Sequence, residues 1–375
     1  MASKNTKSKV LYLSYDGLTD PLGQSQVLPY IIGLRKKGFG FTVISFEKPE
    51  NFQKEESVIN DIVNENNIGW NPLKYTKRPP ILSTVYDIFK LKQAIKKEAQ
   101  KEDVSLIHCR SYITALVGLW AKNKYGIPFV FDMRGFWADE RVDGKIWDLK
   151  NIIHKKVYAY FKKKEKEYLV EAAQTISLTY AGKEEINSWN LKGQSPIKVI
   201  PCCTDEAHFN ISKKENKRNE LGLSSDDFVI SYLGSIGTWY MLDEMLDFFK
   251  VLSSIKSHAK FLFITKDDLS FILDKCVEKG ISKDTIVIKS SSRNDVPEYI
   301  NTSDASIFFI KPVYSKKASS PTKMGEIMNM GVPIVCNAGV GDVDVVMNEA
   351  MPELLVNNFD ITNYQQVANE LINYY

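Results

Sequence analysis

The sequence lacks any apolar run approaching the ~20 residues of a membrane-spanning helix, so no spanning segment is expected. Cysteines are few, five in 375 residues, and odd in number. Cys202 and Cys203 are adjacent and no C-x-x-C spacing occurs, which argues against a zinc site. With no secretory leader, these cysteines point to a reducing cytoplasm. The net charge is only +3, too little for general nucleic-acid binding. No Asp-x-Asp stands in a convincing metal context. Asp342-Val343-Asp344 falls at the start of a helix and is read as its cap. No internal repeat or low-complexity segment is visible.

What remains is an ordinary globular composition, 44% hydrophobic and 25% charged. The length fits two domains rather than one core. After a polar, basic tail over residues 1–9, Val10 to Ser14 reads as a buried strand. A loop to Gln26 with Gly17, Pro21 and Gly23 follows, then a helix over Val27 to Lys37 and a strand over Phe41 to Phe46. Asn51 to Pro80 reads as one helix and an irregular loop, and Ile81 to Ala99 as a basic amphipathic helix. Ser105 to Cys109 and Pro128 to Phe131 are strands. His108 ends the first, and Asp132 and Arg134 follow the second, where open α/β sheets gather ligands. Lys145 to Gln174 is a long helical region. Its lysines between Lys155 and Lys166 suit either plain solvation or contact with anionic lipid. Ile211 to Ser225 reads as the linker region. A second domain opens at Phe228, where a strand leads through Gly234 and Gly237 into a helix, a unit that can present N–H groups to phosphate.

The most informative stretch is Ser319 to Asp342. Ser320 is a good N-cap and Pro321 suits a first helical turn. A 3.6-residue period sends Met324, Ile327 and Met328 to the core. Lys323 and Glu326 then lie together on the edge of the other face. A cation, an acid and a helix N-terminus at the mouth of a βαβ unit suit a phosphate and a ribose diol. A surface Lys/Glu pair is the plainer alternative.

The run PTKMGEIMNMGVPIV resembles the corresponding segment of family 4 glycosyltransferases, which have the GT-B fold. Val199 to Asp205 resembles the family's crossing into its second domain. The resemblance implies an α/β chain of two Rossmann-like domains facing a central cleft, 1–205 for the acceptor and 206–375 for the sugar nucleotide. It implies that Glu326 holds the donor's ribose, that Ser320, Thr322 and Lys323 lie beside it, that Gly23 approaches the donor's diphosphate, and that Arg293 lies where the nucleobase is read. Asp132 and Arg134 fall where many family members have a His facing the reacting sugar, and His108 resembles the family's Ile-His segment, a hydrogen-bonded core histidine being its plainer reading; these three are the candidate catalytic residues. Departures are visible. Ala318 stands where the family has the first Glu of Glu-x7-Glu, and Asp132 or Arg134 where many members have His. The Gly234–Tyr240 loop lacks the usual cation, which leaves Lys323 and Lys311 to supply countercharge.

The expectation is a glycosyltransferase that moves a sugar from a nucleotide-sugar donor to a glycan or lipid-linked acceptor. Retention of configuration is implied by the resemblance. Metal independence follows from fixed donors at helix N-termini plus Lys323. No cofactor is expected. A cytoplasmic place follows, peripheral on the inner face of the membrane if Lys155–Lys166 touches lipid. A nucleotide-sugar epimerase and a non-catalytic sugar-nucleotide-binding subunit are the alternatives.

Overall fold

The computed structural model describes residues 8–101, 104–211 and 216–374. The tail expected over residues 1–9 lies outside these as far as residue 7, as do residues 212–215 of the expected linker region. The chain forms two Rossmann-like α/β units, Met1–Pro201 and Cys202–Tyr375. Cys202 to Asp205 group with the second unit. There the Cys202 N–H donates to Ser320 Oγ at 3.1 Å, and Thr204 lies against Gly325.

The first unit runs β1 (Lys9–Ser14), α1 (Leu28–Lys36), β2 (Gly40–Glu47), α2 (Pro49–Glu65), β3 (Gly69–Lys74), α3 (Leu82–Lys101) and β4 (Leu106–Arg110). It continues with α4 (Ser111–Tyr125), β5 (Phe129–Asp132), α5 (Trp137–Asp143), α6 (Ile152–Glu171), β6 (Gln174–Ser177), α7 (Tyr180–Ser188) and β7 (Ile197–Val199). All seven strands pair in parallel in the order β3-β2-β1-β4-β5-β6-β7. A parallel sheet is covered on both faces, so its central strands are continuous apolar runs. Leu11, Leu13, Ile107, Phe129 and Phe131 are fully buried. The order reverses between β1 and β4, which opens a crevice at their C-terminal ends.

Two readings of this unit change. The stretch over Asn51–Pro80 holds a strand, β3, beside the expected helix. β3 is an edge strand with Pro72 and no buried residue, so it carries no apolar alternation. The expected single helical region over Lys145–Gln174 begins only at Ile152. Asn151 caps it, its side-chain oxygen accepting the N–H groups of Ile153 and His154.

The second unit runs β8 (Phe228–Leu233), α8 (Leu242–Ile255), β9 (Ala259–Ile264), α9 (Leu269–Glu278), β10 (Ile286–Lys289), α10 (Val296–Ile300) and β11 (Ala305–Phe308). It ends with α11 (Thr322–Asn329), β12 (Ile334–Asn337), α12 (Val343–Ala350), β13 (Leu355–Val356) and α13 (Ile361–Asn373). Six parallel strands lie in the order β10-β9-β8-β11-β12-β13, with the reversal between β8 and β11. Phe248, Phe249, Phe261, Phe263 and Phe309 fill its core, each such side chain contributing about 1.5–3 kcal/mol by burial.

Candidate functional site

In the second unit the site forms around the loop after β8 and the start of α11. Gly234 has φ +112°, a backbone that L side chains rarely adopt, and a Cβ there would lie 3.1 Å from Lys323 Nζ. The Lys323 amine therefore reaches the loop across the space that this glycine leaves. It stands 3.7 Å from the Tyr240 ring centroid and 4.4 Å from that of Tyr232, with Phe308 at 5.9 Å. It is buried and has no hydrogen-bond partner. Burial pushes its pKa down from the usual lysine value to about 7, and the neighbouring Glu326 carboxylate offsets this only in part. Aromatic faces attract a cation but do not replace its lost hydration or its hydrogen bonds.

One helical turn on, Glu326 is buried and accepts a hydrogen bond from Arg293 Nη1 at 3.2 Å. The Arg293 guanidinium lies over the Phe209 ring, 5.5 Å from its centroid, and its carbonyl contacts His208 Nε2 at 3.0 Å. Arg293 and Glu326 are thus brought together beside Lys323, an association that sequence spacing does not reveal. Lys323 and Glu326 do not lie on a solvated edge. α11 buries both of them, while Met328, expected in the core, is only half-buried. Ser320 is not the N-cap either. Pro321 holds that place, and the Ser320 hydroxyl accepts the Cys202 N–H instead. Thr322 is the first helical residue and half-buried. Gly237 is exposed and closes the turn in which the Tyr240 N–H donates to its carbonyl at 3.1 Å. Lys311 is exposed. Lys316, which sequence reasoning passed over, is buried with its amine 3.8 Å from the Trp239 ring centroid. The only signal for it was its place in the Lys316-Lys317 pair just ahead of Ala318.

In the first unit the C-terminal ends of β1, β4 and β5 align Ser14 with Arg110 and Arg110 with Asp132. His108 Nε2 is 3.3 Å from Asp132 Oδ2. Its ring stacks on Tyr12 at 4.5 Å between centroids, with Tyr30 edge-on at 5.9 Å. Arg134, with φ +57°, brings Nη1 to 3.8 Å from Asp132 Oδ1 and donates from Nη2 to Gln26 Oε1 at 2.6 Å. Arg110 Nη2 shares that oxygen at 3.3 Å. Burial alone would push the Asp132 carboxyl up. Arg134, His108 and Arg110 together outweigh it and hold the pKa below the usual carboxylate value. The three residues expected here do meet. Gln26, the acceptor common to both arginines, was read only as the end of a loop.

The loop after β1 behaves differently from its counterpart after β8. Glu47, at the end of β2, accepts the Leu18 N–H at 2.9 Å, the Thr19 N–H at 3.1 Å and the hydroxyls of Thr19 and Ser45 at 2.5 Å each. A Cβ on Gly23 would fall 2.1 Å from the Gly17 carbonyl oxygen, so this position must be glycine for the loop to fold on itself.

Two family models match successive parts of the chain. The one described as Glycosyltransferase Family 4 covers residues 26–208, and the one described as Glycosyl transferases group 1 covers residues 213–374. The chain belongs to the two-domain GT-B glycosyltransferases. No curated protein matches in sequence. Among solved structures, this GT-B chain is similar to a sucrose-phosphate synthase from Thermosynechococcus elongatus. The TM-score is 0.71 at 14% identity over 98% of this chain and 90% of that one. It is also similar to Anabaena HepE, solved in complex with UDP and glucose, with TM-score 0.67 and 14% identity over 98% and 89% of the two chains. A third is a putative UDP-N-acetylglucosamine 2-epimerase from Listeria monocytogenes, with TM-score 0.57 and 12% identity over 98% and 88%. At these identities the likeness carries the fold alone. Among the described residues of this GT-B chain, no group of three or more His, Cys, Asp or Glu is placed to hold a metal ion, and Asp344 accepts the Gly339 N–H at 3.0 Å.

Proposed function

We propose that this chain transfers a sugar from a nucleotide-sugar donor to a glycan or lipid-linked acceptor, without metal and with retention of anomeric configuration. The observation that carries the reading is the buried Lys323 amine, which has no hydrogen-bond partner and points at the Gly234 loop. A buried ammonium without a partner is costly, and a bound diphosphate repays that cost. Glu326 takes the ribose hydroxyls, and Arg293, already held by Glu326, lies at the nucleobase. Ser320, Thr322, Gly234 and Gly237 are proposed to line the same donor site, and Gly23 is a further proposed donor-binding residue. As transfer proceeds, the bond between the anomeric carbon and the diphosphate oxygen breaks, one to the acceptor oxygen forms, and the acceptor hydroxyl's proton passes to the departing diphosphate oxygen. Protonated Lys323 stabilises the charge that gathers on the leaving diphosphate. His108, Asp132 and Arg134 are the proposed catalytic groups of the first unit. We place the enzyme in the cytoplasm, with peripheral contact between Lys155–Lys166 and anionic lipid as part of the proposal.

An epimerase remains the second reading, favoured by the fold likeness to the Listeria protein. Incubation with single sugar nucleotides, with and without glycan or lipid-linked acceptors, separates the two. The transferase reading expects nucleoside diphosphate released in step with a glycosylated acceptor. An epimeric sugar nucleotide formed without acceptor would replace it with the second reading. No product under any condition, with donor still bound, would mean a binding subunit.

A further inference from the structure

We propose that Asp267 makes the donor site prefer an intact sugar nucleotide to the spent nucleoside diphosphate. The inference deepens the transferase reading and rests on its placing of the diphosphate at the Gly234–Tyr240 loop. In the free protein the Asp267 carboxylate accepts the Ile236 N–H, in the middle of that loop. Asp267 follows β9, the strand beside β8, and its own N–H donates to the buried Thr265 hydroxyl at 3.1 Å. Other groups of the loop are tied to neutral partners. The Gly234 N–H donates to the Ile264 carbonyl at 3.0 Å and the Tyr240 N–H to that of Gly237 at 3.1 Å. The Tyr232 hydroxyl donates to the Ser235 carbonyl at 2.5 Å. The Ile236 N–H is instead held by an anion. A carboxylate oxygen on successive backbone N–H groups of a turn stands where a phosphate oxygen can stand.

An acid beside an anion site needs a reason. Asp267 is exposed, and among the described residues it forms no ion pair. It does not neutralise Lys323 either, since the carboxylate that offsets the depressed pKa of that amine is Glu326. Its charge does reach the aromatic cover of Lys323. Burial raises the Tyr232 pKa, and Tyr240 and Asp267 raise it further. A diphosphate that takes the Ile236 N–H must displace this carboxylate and then lie beside it, and the repulsion grows with the charge of the ligand. In an intact sugar nucleotide both phosphates are esterified or bridged. After transfer the terminal phosphate is free, loses a second proton at about pH 6 and carries an extra charge at about pH 8. Asp267 therefore disfavours the product more than the donor and reclaims the Ile236 N–H as the product leaves. A carboxylate that merely braced the loop would affect both ligands alike.

The test titrates the full chain at about pH 8, without divalent cation, with the tightest-binding of UDP, GDP and ADP and with the glucose conjugate of the same nucleotide. Asp267→Asn keeps an oxygen for the Ile236 N–H and removes the charge. It should bind the diphosphate about fivefold more tightly than the wild-type chain and the conjugate at most about twofold more tightly. Asp267→Ala should shift the ratio of the two dissociation constants in the same direction. That ratio is the readout, because a loosened loop moves both constants together and a poorly fitting sugar cancels between wild type and variant. An unchanged ratio in both variants would overturn the proposal, as would a ratio shifted toward the conjugate. Binding of none of the three diphosphates by the wild-type chain would sink the donor reading and this inference with it, whereas binding with an unchanged ratio removes the role of Asp267 alone.

Discussion

The two units place charged side chains at equivalent points of their sheets, yet they treat them in opposite ways. At the β1/β4 reversal His108, Asp132, Arg134, Arg110 and Gln26 are linked to one another. At the β8/β11 reversal Lys323 is buried among aromatic rings and bonded to nothing. In the first cluster each buried charge has an opposite charge beside it, although Asp132 Oδ1 and Arg110 Nε lack hydrogen-bond partners, and folding alone accounts for most of it. Folding does not account for a buried amine without a partner, since its cost persists until an anion arrives. The donor site is therefore proposed for the second unit from an unmet requirement. The first unit's cluster is assigned a role only through its place at the strand ends.

The largest expected effect falls on the self-paired cluster. Asp132→Asn leaves Arg134 and Arg110 without their buried countercharge, which should destabilise the protein by about 3–5 kcal/mol. The folded pKa of Asp132 lies below its unfolded value, so its contribution is present above that value and is lost as pH falls through the folded one. Denaturant melts at about pH 7 and about pH 3 should therefore show the variant's deficit shrinking in acid. A deficit that persists unchanged would mean that the charge of Asp132 is not what holds the cluster.

Lys323→Met should do the reverse. The apo protein should be as stable or more stable, while nucleoside-diphosphate affinity falls by about 1.5–3 kcal/mol, the value of charge-assisted hydrogen bonds. The wild-type pKa is depressed in the folded state. Its stability should therefore rise with pH between about 7 and about 10, where only the unfolded chain holds the proton. Lys323→Met should lack that slope. Loss of apo stability with normal titration would make Lys323 structural.

Glu326→Gln should cost about 1.5 kcal/mol of donor affinity, roughly tenfold, and nothing for an analogue without the ribose diol. Equal losses for both ligands would remove Glu326 from the ribose. Smallest of all is the single change Lys155→Ala on α6. Lys162 and Lys164 on that helix are already paired with Asp139, Glu165 and Glu167. Salt-sensitive vesicle binding should weaken by about 1 kcal/mol per exposed cation. No change would leave α6 a solvated face.

Most of the fold was legible because strands such as Phe228–Leu233 and Ile334–Asn337 are short apolar runs bounded by turns and helices. β3 was not, because an edge strand with Pro72 needs no apolar alternation. In the candidate site, residue identity was legible and environment was not. The 3.6-residue period of α11 cannot show that Tyr232 and Tyr240, distant in sequence, close over Lys323 and bury it. Nor can it show that Cys202 claims the Ser320 hydroxyl, which moves the cap to Pro321. Both outcomes are set by long-range contacts.

The central claim is that burial, which lowers the Lys323 pKa to about 7, strips the amine of its proton above that pH until a bound diphosphate restores it. Calorimetric titration at about pH 8 of whichever nucleoside diphosphate binds most tightly, in two buffers of different ionisation enthalpy, measures this directly. The account predicts net proton uptake on nucleoside-diphosphate binding by the wild-type chain and none by Lys323→Met. Tight binding by the wild-type chain with identical heats in both buffers would contradict it.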